Sequence, residues 1–256
     1  MNTTTRFLGA FAALALALAF AGLPASAQAQ TDDWEFVIAP YALFASLSGD
    51  ATVGGAQATP VDLDFGDILE SLRFATIVHS EVWKGDWGVM GDLIWLRLGE
   101  DKTLGGPLAT VLDVEIDQFV IEGFLGRRFP GPNRQLDLFG GVRVWDIGID
   151  LELVDTERAL GLGGGWVDPV VGGRIKQYLA EDWYVIARAD FGGFGIGSDI
   201  SWNAQGGIGW EAAPWFSLLL QYKGLGVDYE NDETGSDFFA YDVTHYAPVL
   251  GFVFRF

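Results

Sequence analysis

The last twelve residues, HYAPVLGFVFRF, alternate without a break to the final position. Tyr246, Pro248, Leu250, Phe252, Phe254 and Phe256 share one parity; His245, Ala247, Val249, Gly251, Val253 and Arg255 share the other. A period of two is a β-strand, and one side of this strand is wholly apolar. Water-soluble domains usually end in polar, frayed residues. A strand that presents Phe to its very end presses that face against something apolar, and lipid is the candidate that fits.

The same alternation recurs along the chain. Segments near 34–48, 73–84, 87–98, 110–128, 135–150, 166–180, 183–195, 199–212, 215–228 and 239–256 read as strands. Their connectors differ in kind. Lys84-Gly85-Asp86, residues 129–134, Glu181-Asp182 and Ala213-Pro214 are tight turns, whereas 49–72, 99–109, 151–165 and 229–238 are longer and polar. Residues 196–198 are short where a long loop is due. An even strand count, with short turns on one end and long loops on the other, is the habit of a transmembrane barrel. The expected fold is all-β: a single closed antiparallel up-and-down transmembrane β-barrel of about ten strands, eight or twelve being the alternatives.

The faces agree. Ile200, Trp202, Ile208 and Trp210 oppose Ser201, Asn203 and Gln205; Val167, Pro169, Val171 and Ile175 oppose Asp168, Arg174 and Lys176. Apolar outside and polar inside is the reverse of a water-soluble barrel. In the fourth segment Leu112, Val114 and Ile116 share one parity while Phe119, Ile121 and Leu125 hold the other, which reads as a bulge near Asp117-Gln118. Trp34, Trp83, Trp87, Trp183, Trp210 and Trp215 fall at the short-turn end, and Trp95, Trp145, Trp166 and Trp202 at the long-loop end. Trp87 and Trp95 share a parity, and such a spacing climbs roughly 20 Å on a tilted strand, close to the distance between two aromatic girdles.

Composition fits an exported chain. Residues 1–29 read as a secretory signal peptide: Arg6, an apolar run from Phe11 to Leu23, and a small-x-small site at Ala25-Ser26-Ala27 or Ala27-Gln28-Ala29. That run is too short for a spanning helix of about 20 residues. Residues 30–256 are then the barrel. The full chain carries 15 Lys/Arg and 35 Asp/Glu, and losing the leader removes only Arg6 from that balance. Such acidity argues against nucleic acid as a partner. Cysteine is absent, so hydrogen bonding and packing alone hold the fold.

The chain end resembles the C-terminal signal that assembly machinery reads on bacterial outer-membrane barrels, with Gly251, Phe254 and Phe256 at its offsets and Val249 where the signal has a polar residue. The stretches PYALFASLSGDATVGG (40–55), VDLDFGDILESL (61–72), WVDPVVGGRI (166–175) and FGGFGIGSDISWN (191–203) resemble a family of uncharacterised bacterial outer-membrane β-barrel proteins. The resemblance spans nearly all of the exported chain. It implies the fold, and a place in the bacterial outer membrane with both termini in the periplasm. It implies no established activity.

Parity sends a set of charges inward: Glu81, Asp92, Glu122, Arg143, Asp168, Arg174, Lys176, Arg188, Asp190, Lys223 and Arg255. Charges buried in a narrow barrel must pair. Asp168, Arg174, Arg143 and Asp190 are the expected centre of that network. In the first long loop Phe65, Ile68, Leu69 and Leu72 recur at helical spacing, with Asp64 or Asp67 as cap, so a short amphipathic helix lies over the mouth, in it, or at the membrane rim.

The loops 49–72 and 228–237 are strongly acidic, and the Asp228-Glu230-Asp232 spacing hints at calcium, but Glu233 stands where an EF-hand needs Gly. A solvated negative surface is the simpler reading, and its ligand is open. His79 and Glu81 face the lumen while Ser80 faces lipid, so HSE at 79–81 is no local nucleophile–base pair. His245 lies on the inward parity near Asp242 and the rim. Ten strands also occur in omptin-type surface proteases, whose acidic and histidine pattern is not matched here.

Three functions follow in order. The first is an outer-membrane barrel with a charged, packed or narrow lumen and a structural or surface-binding role. The second is a porin-like channel for small solutes. The third is a surface hydrolase with His245 at its rim. The leading expectation is no enzyme and no cofactor, with outer-membrane lipid and the barrel-assembly machinery as partners.

Overall fold

A computed structural model describes residues 34–54, 57–104, 110–153 and 158–256; the expected leader lies outside them. The strands are β1 (Trp34–Leu43), β2 (Ser46–Val53), β3 (Thr59–Leu63), β4 (Leu72–Lys84), β5 (Trp87–Leu104) and β6 (Thr110–Pro130). They continue as β7 (Arg134–Leu153), β8 (Arg158–Tyr178), β9 (Trp183–Gly193), β10 (Ile200–Ala213), β11 (Phe216–Glu230) and β12 (Phe239–Arg255). Among the described residues there is one helix, α1 (Phe65–Ser71), before β4, and one 3₁₀ turn (Gly235–Asp237) before β12.

From β4 to β12 each strand pairs antiparallel with the next, and β1 pairs with both β4 and β12. The ring therefore closes on ten staves, as the alternation predicts. The two extra strands come from the first long loop. β12 outruns β1: its end pairs with β1 (Val37↔Arg255 to Leu43↔Val249) and its start pairs with β2 (Ser46↔Tyr246 to Val53↔Phe239). β1 and β2 are thus one stave interrupted at Phe44-Ala45, where the Phe44 N–H still donates to the Pro248 carbonyl. β3 folds back on β2 with Leu47 opposite Leu63.

On its other edge β1 pairs with β4 only as far as Pro40↔Val78. Proline has no N–H to carry a ladder onward, so the seam between β1 and β4 opens there. Helix α1 occupies the stretch between β3 and β4. Asp64 caps it: its carboxylate accepts from the Asp67 N–H at 3.0 Å, and the Asp67 side chain accepts from the Asp64 N–H at 3.0 Å. Ile68 is buried in the barrel core, Phe65 packs on Phe44, and Leu69 and Leu72 are exposed. The predicted apolar stripe is real, but its helix lies in the wall and only one residue of it reaches the core.

The outward face is apolar. Val167, Val171, Ile175, Phe191, Ile200, Ile208, Leu220, Tyr222 and Phe252 are all exposed, as is Phe256. The predicted bulge in β6 is absent: β6 pairs with β5 and β7 without a register shift. Gln118, Val120, Glu122 and Phe124 point inward on one continuous parity, and Ile116 on that parity packs against the core. The hydrophobic pattern changes parity because the lumen changes character along its height, not because the strand slips. The side chains of Leu112 and Val114 lie outside the described residues.

Three of the ten tryptophans also depart from the girdle reading. Trp34, Trp87, Trp183, Trp210 and Trp215 are exposed at the short-turn end, and Trp95 and Trp202 are half-buried on the outer face. Trp83, Trp145 and Trp166 are buried inside the barrel. Each shares its parity with an inward charge two positions away: Glu81, Arg143 and Asp168.

Candidate functional site: a two-part lumen

The lower lumen, toward the short turns, is charged. At mid-height four side chains close a ring. Arg143 Nε donates to Glu122 at 2.6 Å and Nη2 to Asp190 at 2.6 Å; Arg188 reaches Glu122 at 2.8 Å and Asp190 at 2.8 Å. They come from three strands, β6, β7 and β9, with Glu122 opposite Arg143 in the ladder and Arg188 and Asp190 both on β9. Ser201 and Asn203 of β10 add hydrogen bonds to Arg143 and Asp190. Arg143 and Asp190 are fully buried. Ionic groups withdrawn this far from water persist only when every one is paired and hydrogen-bonded.

Below the ring a second network crosses the barrel. Arg174 donates to both Glu81 and Asp137, and Arg128 to Asp137 at 3.2 Å and Glu35 at 3.0 Å. Arg128 also lies over the Trp83 ring at 3.8 Å, and the Trp83 indole N–H donates to Glu81 at 2.6 Å. That explains why this Trp left the girdle: it roofs an ion cluster with its face and bonds it with its edge. His79 places one ring nitrogen 2.8 Å from Glu81 and the other 3.1 Å from Asp92, whose second oxygen accepts from the Tyr41 hydroxyl at 2.6 Å. Near the mouth Lys176 and Arg255 share Glu211, at 2.8 and 3.1 Å. A cavity of about 130 Å³ runs through this lower region and is lined by both charged and apolar side chains.

The upper lumen, toward the long loops, is packed and apolar. Leu47, Ile94, Leu96, Val120, Ile147, Leu225, Val227 and Val243 form one cluster with Trp145, Trp166, Phe239 and Tyr241. Trp166 stacks between Trp145 and Tyr229, with centroids 5.7 and 3.8 Å away and nearly parallel planes. The indole N–H groups of Trp145 and Trp166 are buried with no acceptor among the described residues. Polar-inside therefore describes only the lower half. The upper half is filled as a water-soluble barrel would be.

All eight predicted network residues point inward, but they do not form one set. Glu122, Arg143, Arg188 and Asp190 make the ring; Glu81, Arg174 and, through His79, Asp92 belong to the lower network. Asp168 joins neither. It faces Arg143 in the β7–β8 ladder, yet its Oδ1 accepts from the Ser198 N–H at 2.7 Å and the Ser198 hydroxyl at 2.9 Å. The short 196–198 connector is thus drawn down onto the barrel by a buried carboxylate. A Cβ on Gly197 would stand 2.4 Å from the Val167 carbonyl, so that close approach requires glycine.

Glu35, Arg128, Asp137 and Glu211 belong to these networks and were not singled out from sequence, although parity places each inside. His245 also needs correction. It is buried beside Trp145, Gln118 and Tyr241, deep in the lumen and away from the rim, while Asp242 faces outward and is exposed. Among the described residues no group of three or more His, Cys, Asp or Glu converges as a metal site would need.

No protein-family model matches the chain, and no curated protein matches it. Solved structures do. The outer membrane protease OmpT from Escherichia coli matches with a TM-score of 0.51 and 10% identity, over 90% of this chain and 99% of that one. The translocator domain of the autotransporter NalP from Neisseria meningitidis matches at 0.46 and 14% identity, over 99% and 98%. Ail, the attachment invasion locus protein of Yersinia pestis, matches at 0.38 and 12% identity, over 87% and 98%. At 10% identity the likeness to OmpT is one of fold, and the fold shared is a closed outer-membrane β-barrel.

Proposed function

We propose that this chain is a sealed barrel of the bacterial outer membrane with a structural or surface-binding role in the envelope. Both termini face the periplasm, and outer-membrane lipid and the barrel-assembly machinery are its partners, the latter through Gly251, Phe254 and Phe256. The exposed apolar face supports the membrane setting, because an aqueous surface of that size would aggregate. The observation that carries the sealed reading is the stacking of two obstructions in one lumen. The Arg143–Glu122–Arg188–Asp190 ring crosses it at mid-height, and the Trp145 cluster fills it above. A porin-like channel needs a continuous wet path, and here ions would have to displace both.

The hydrolase reading draws no support from either histidine. His79 is committed to two carboxylates, and His245 is buried among Trp145, Gln118 and Tyr241. The test is conductance across a planar lipid bilayer holding the refolded exported chain. Stable insertion with no current is the expected result. Discrete current steps would replace the sealed barrel by the channel.

A further inference from the structure

Strand β8 outruns one of its neighbours. It pairs with β7 from Arg134↔Gln177 to Leu153↔Arg158, but with β9 only from Tyr178↔Tyr184 to Val170↔Gly192. The 196–198 connector covers Val167 and Asp168, through the Ser198 N–H and the close approach of Gly197. Above it, residues 158–166 have a partner strand on one side only among the described residues. Natural sheets blunt such an edge with charges, proline or a bulge. Residues 159–165, ALGLGGG, carry no charge and no proline, and their ladder to β7 runs without a register shift. The edge is open to a further strand, which would continue the stave of β9 upward.

The outer face beside this edge selects the strand. There β8 presents Gly161, Gly163 and Gly165, opposite Asp150, Gly148 and Asp146 of β7. Glycines leave the two carboxylates within reach from beyond the edge. A Cβ on Gly165 would stand 3.7 Å from the Asp146 Oδ1, so that carboxylate leans toward the edge. Asp146 forms no ion pair among the described residues, and Arg97 on the same face already holds Glu115 and Asp117, at 3.1 and 2.7 Å. Across the gap Asp199, Asp228 and Glu230 are exposed. An added strand would lie two strand spacings from Asp146, about 10 Å. The four-carbon stem of a lysine and the aspartate side chain together span that distance.

We propose that the upper edge of β8 binds an extended cationic peptide by strand addition, with alternate Lys or Arg side chains crossing the glycines to Asp146 and Asp150. The peptide backbone supplies the ladder, and its alternate charges supply the selectivity. A second copy of this chain fits less well, because pairing the two edges would bring the acids of both copies together. The inference deepens the surface-binding reading and rests on it. Conductance reads only the lumen, so a failure here would leave the sealed barrel standing.

The test is fluorescence anisotropy of labelled peptides on the refolded exported chain in zwitterionic lipid nanodiscs, with empty discs as the blank. The probe is a peptide of alternating Lys and Val. One control alternates Glu and Val, and the other is the Lys-Val peptide methylated at every backbone nitrogen, which keeps the charge and loses the donors. Saturable binding of the Lys-Val peptide is expected, with both controls about tenfold weaker or worse. Asp146→Asn/Asp150→Asn should weaken the Lys-Val peptide by about tenfold, the scale of losing charge-assisted contacts. Neither aspartate makes a hydrogen bond with another described residue, so the variant should fold, as circular dichroism would verify. The single variant Asp146→Asn serves if the double one does not. No saturable binding, equal binding of the methylated peptide, tighter binding of the Glu-Val peptide, unchanged affinity in the variants, or a stable dimer of the chain in detergent would each overturn the proposal.

Discussion

The two halves of the lumen solve the same problem by opposite means. Both must fill a barrel too narrow to leave empty. The lower half fills it with ion pairs whose partners come from strands far apart in the ring, such as Arg174 of β8 and Glu81 of β4. The upper half fills it with aromatic and aliphatic side chains, as at Trp145 and Val243. Ion pairs impose geometry, because each cation needs its carboxylate at a fixed place and in a fixed direction. Apolar packing imposes only volume and shape. The difference teaches that the lower half fixes which strands face each other, while the upper half closes the space above.

Breaking the ring should produce the largest effect. Arg143→Met leaves Glu122 and Asp190 short of a partner in a dry interior, and a loss of about 3–5 kcal/mol is expected. Replacing all four ring members by apolar residues of similar volume should cost much less than the four single losses combined. Urea titration in lipid vesicles would measure both. A single Arg143 variant as stable as the parent would dissolve the contrast between the halves.

In the upper half Trp145→Ala should cost about 3 kcal/mol, the low end for deleting a buried Trp. The reason is that the lost indole carries an N–H with no acceptor among the described residues, so truncation also removes a desolvated donor. The same urea titration reads it. A cost well above that of Arg143→Met would mean that the upper half, not the lower, carries the barrel.

The smallest expected effect lies outside the lumen, at the acidic rim. Asp228 on the outer face of β11 lies opposite Asp242, which lies opposite Asp50 of β2. Partial burial, then the neighbouring Asp242, Asp199 and Glu230, push the Asp228 carboxyl above its usual range. An acid whose folded pKa is raised binds its proton more tightly when folded. Its contribution is fully present below the unfolded pKa of about 3.9 and is lost as pH rises through the raised folded value. Amide protection at the β11–β12 ends, taken relative to the intrinsic exchange rate at each pH, should therefore rise on acidification. Asp228→Asn should flatten that dependence, and an unchanged pH profile would remove Asp228 as its source.

Much of this architecture is legible in the sequence. Period-two alternation places every stave, and the helical spacing of Phe65, Ile68, Leu69 and Leu72 behind Asp64 or Asp67 marks α1, while only the structure makes Asp64 the cap. What the alternation hides is the change of solvent inside the barrel. An apolar residue on the inward parity reads as an error or a bulge when the lumen is assumed wet throughout, and this is how Ile116 misleads. Height along a strand misleads in the same way: Trp83, Trp145 and Trp166 stand at girdle height, but parity with Glu81, Arg143 and Asp168 turns them inward. The ion pairs were legible as a list and not as a wiring diagram, because partners such as Arg174 and Glu81 meet only across the closed ring.

The double pairing of β12 has a consequence for how the molecule forms. Its first edge zips onto β11 as a local hairpin, but its second edge waits for β1 and β2, from the opposite end of the described chain. Ring closure joins Val37 to Arg255 and Val53 to Phe239, so the most costly loop entropy falls on the final step. Until that step β12 is a bare edge strand over its whole length, with its backbone donors and acceptors free to template another chain. Slow closure and a prolonged sticky edge are therefore properties of the same strand, and a catalyst of insertion would have to hold that edge until the first stave arrives.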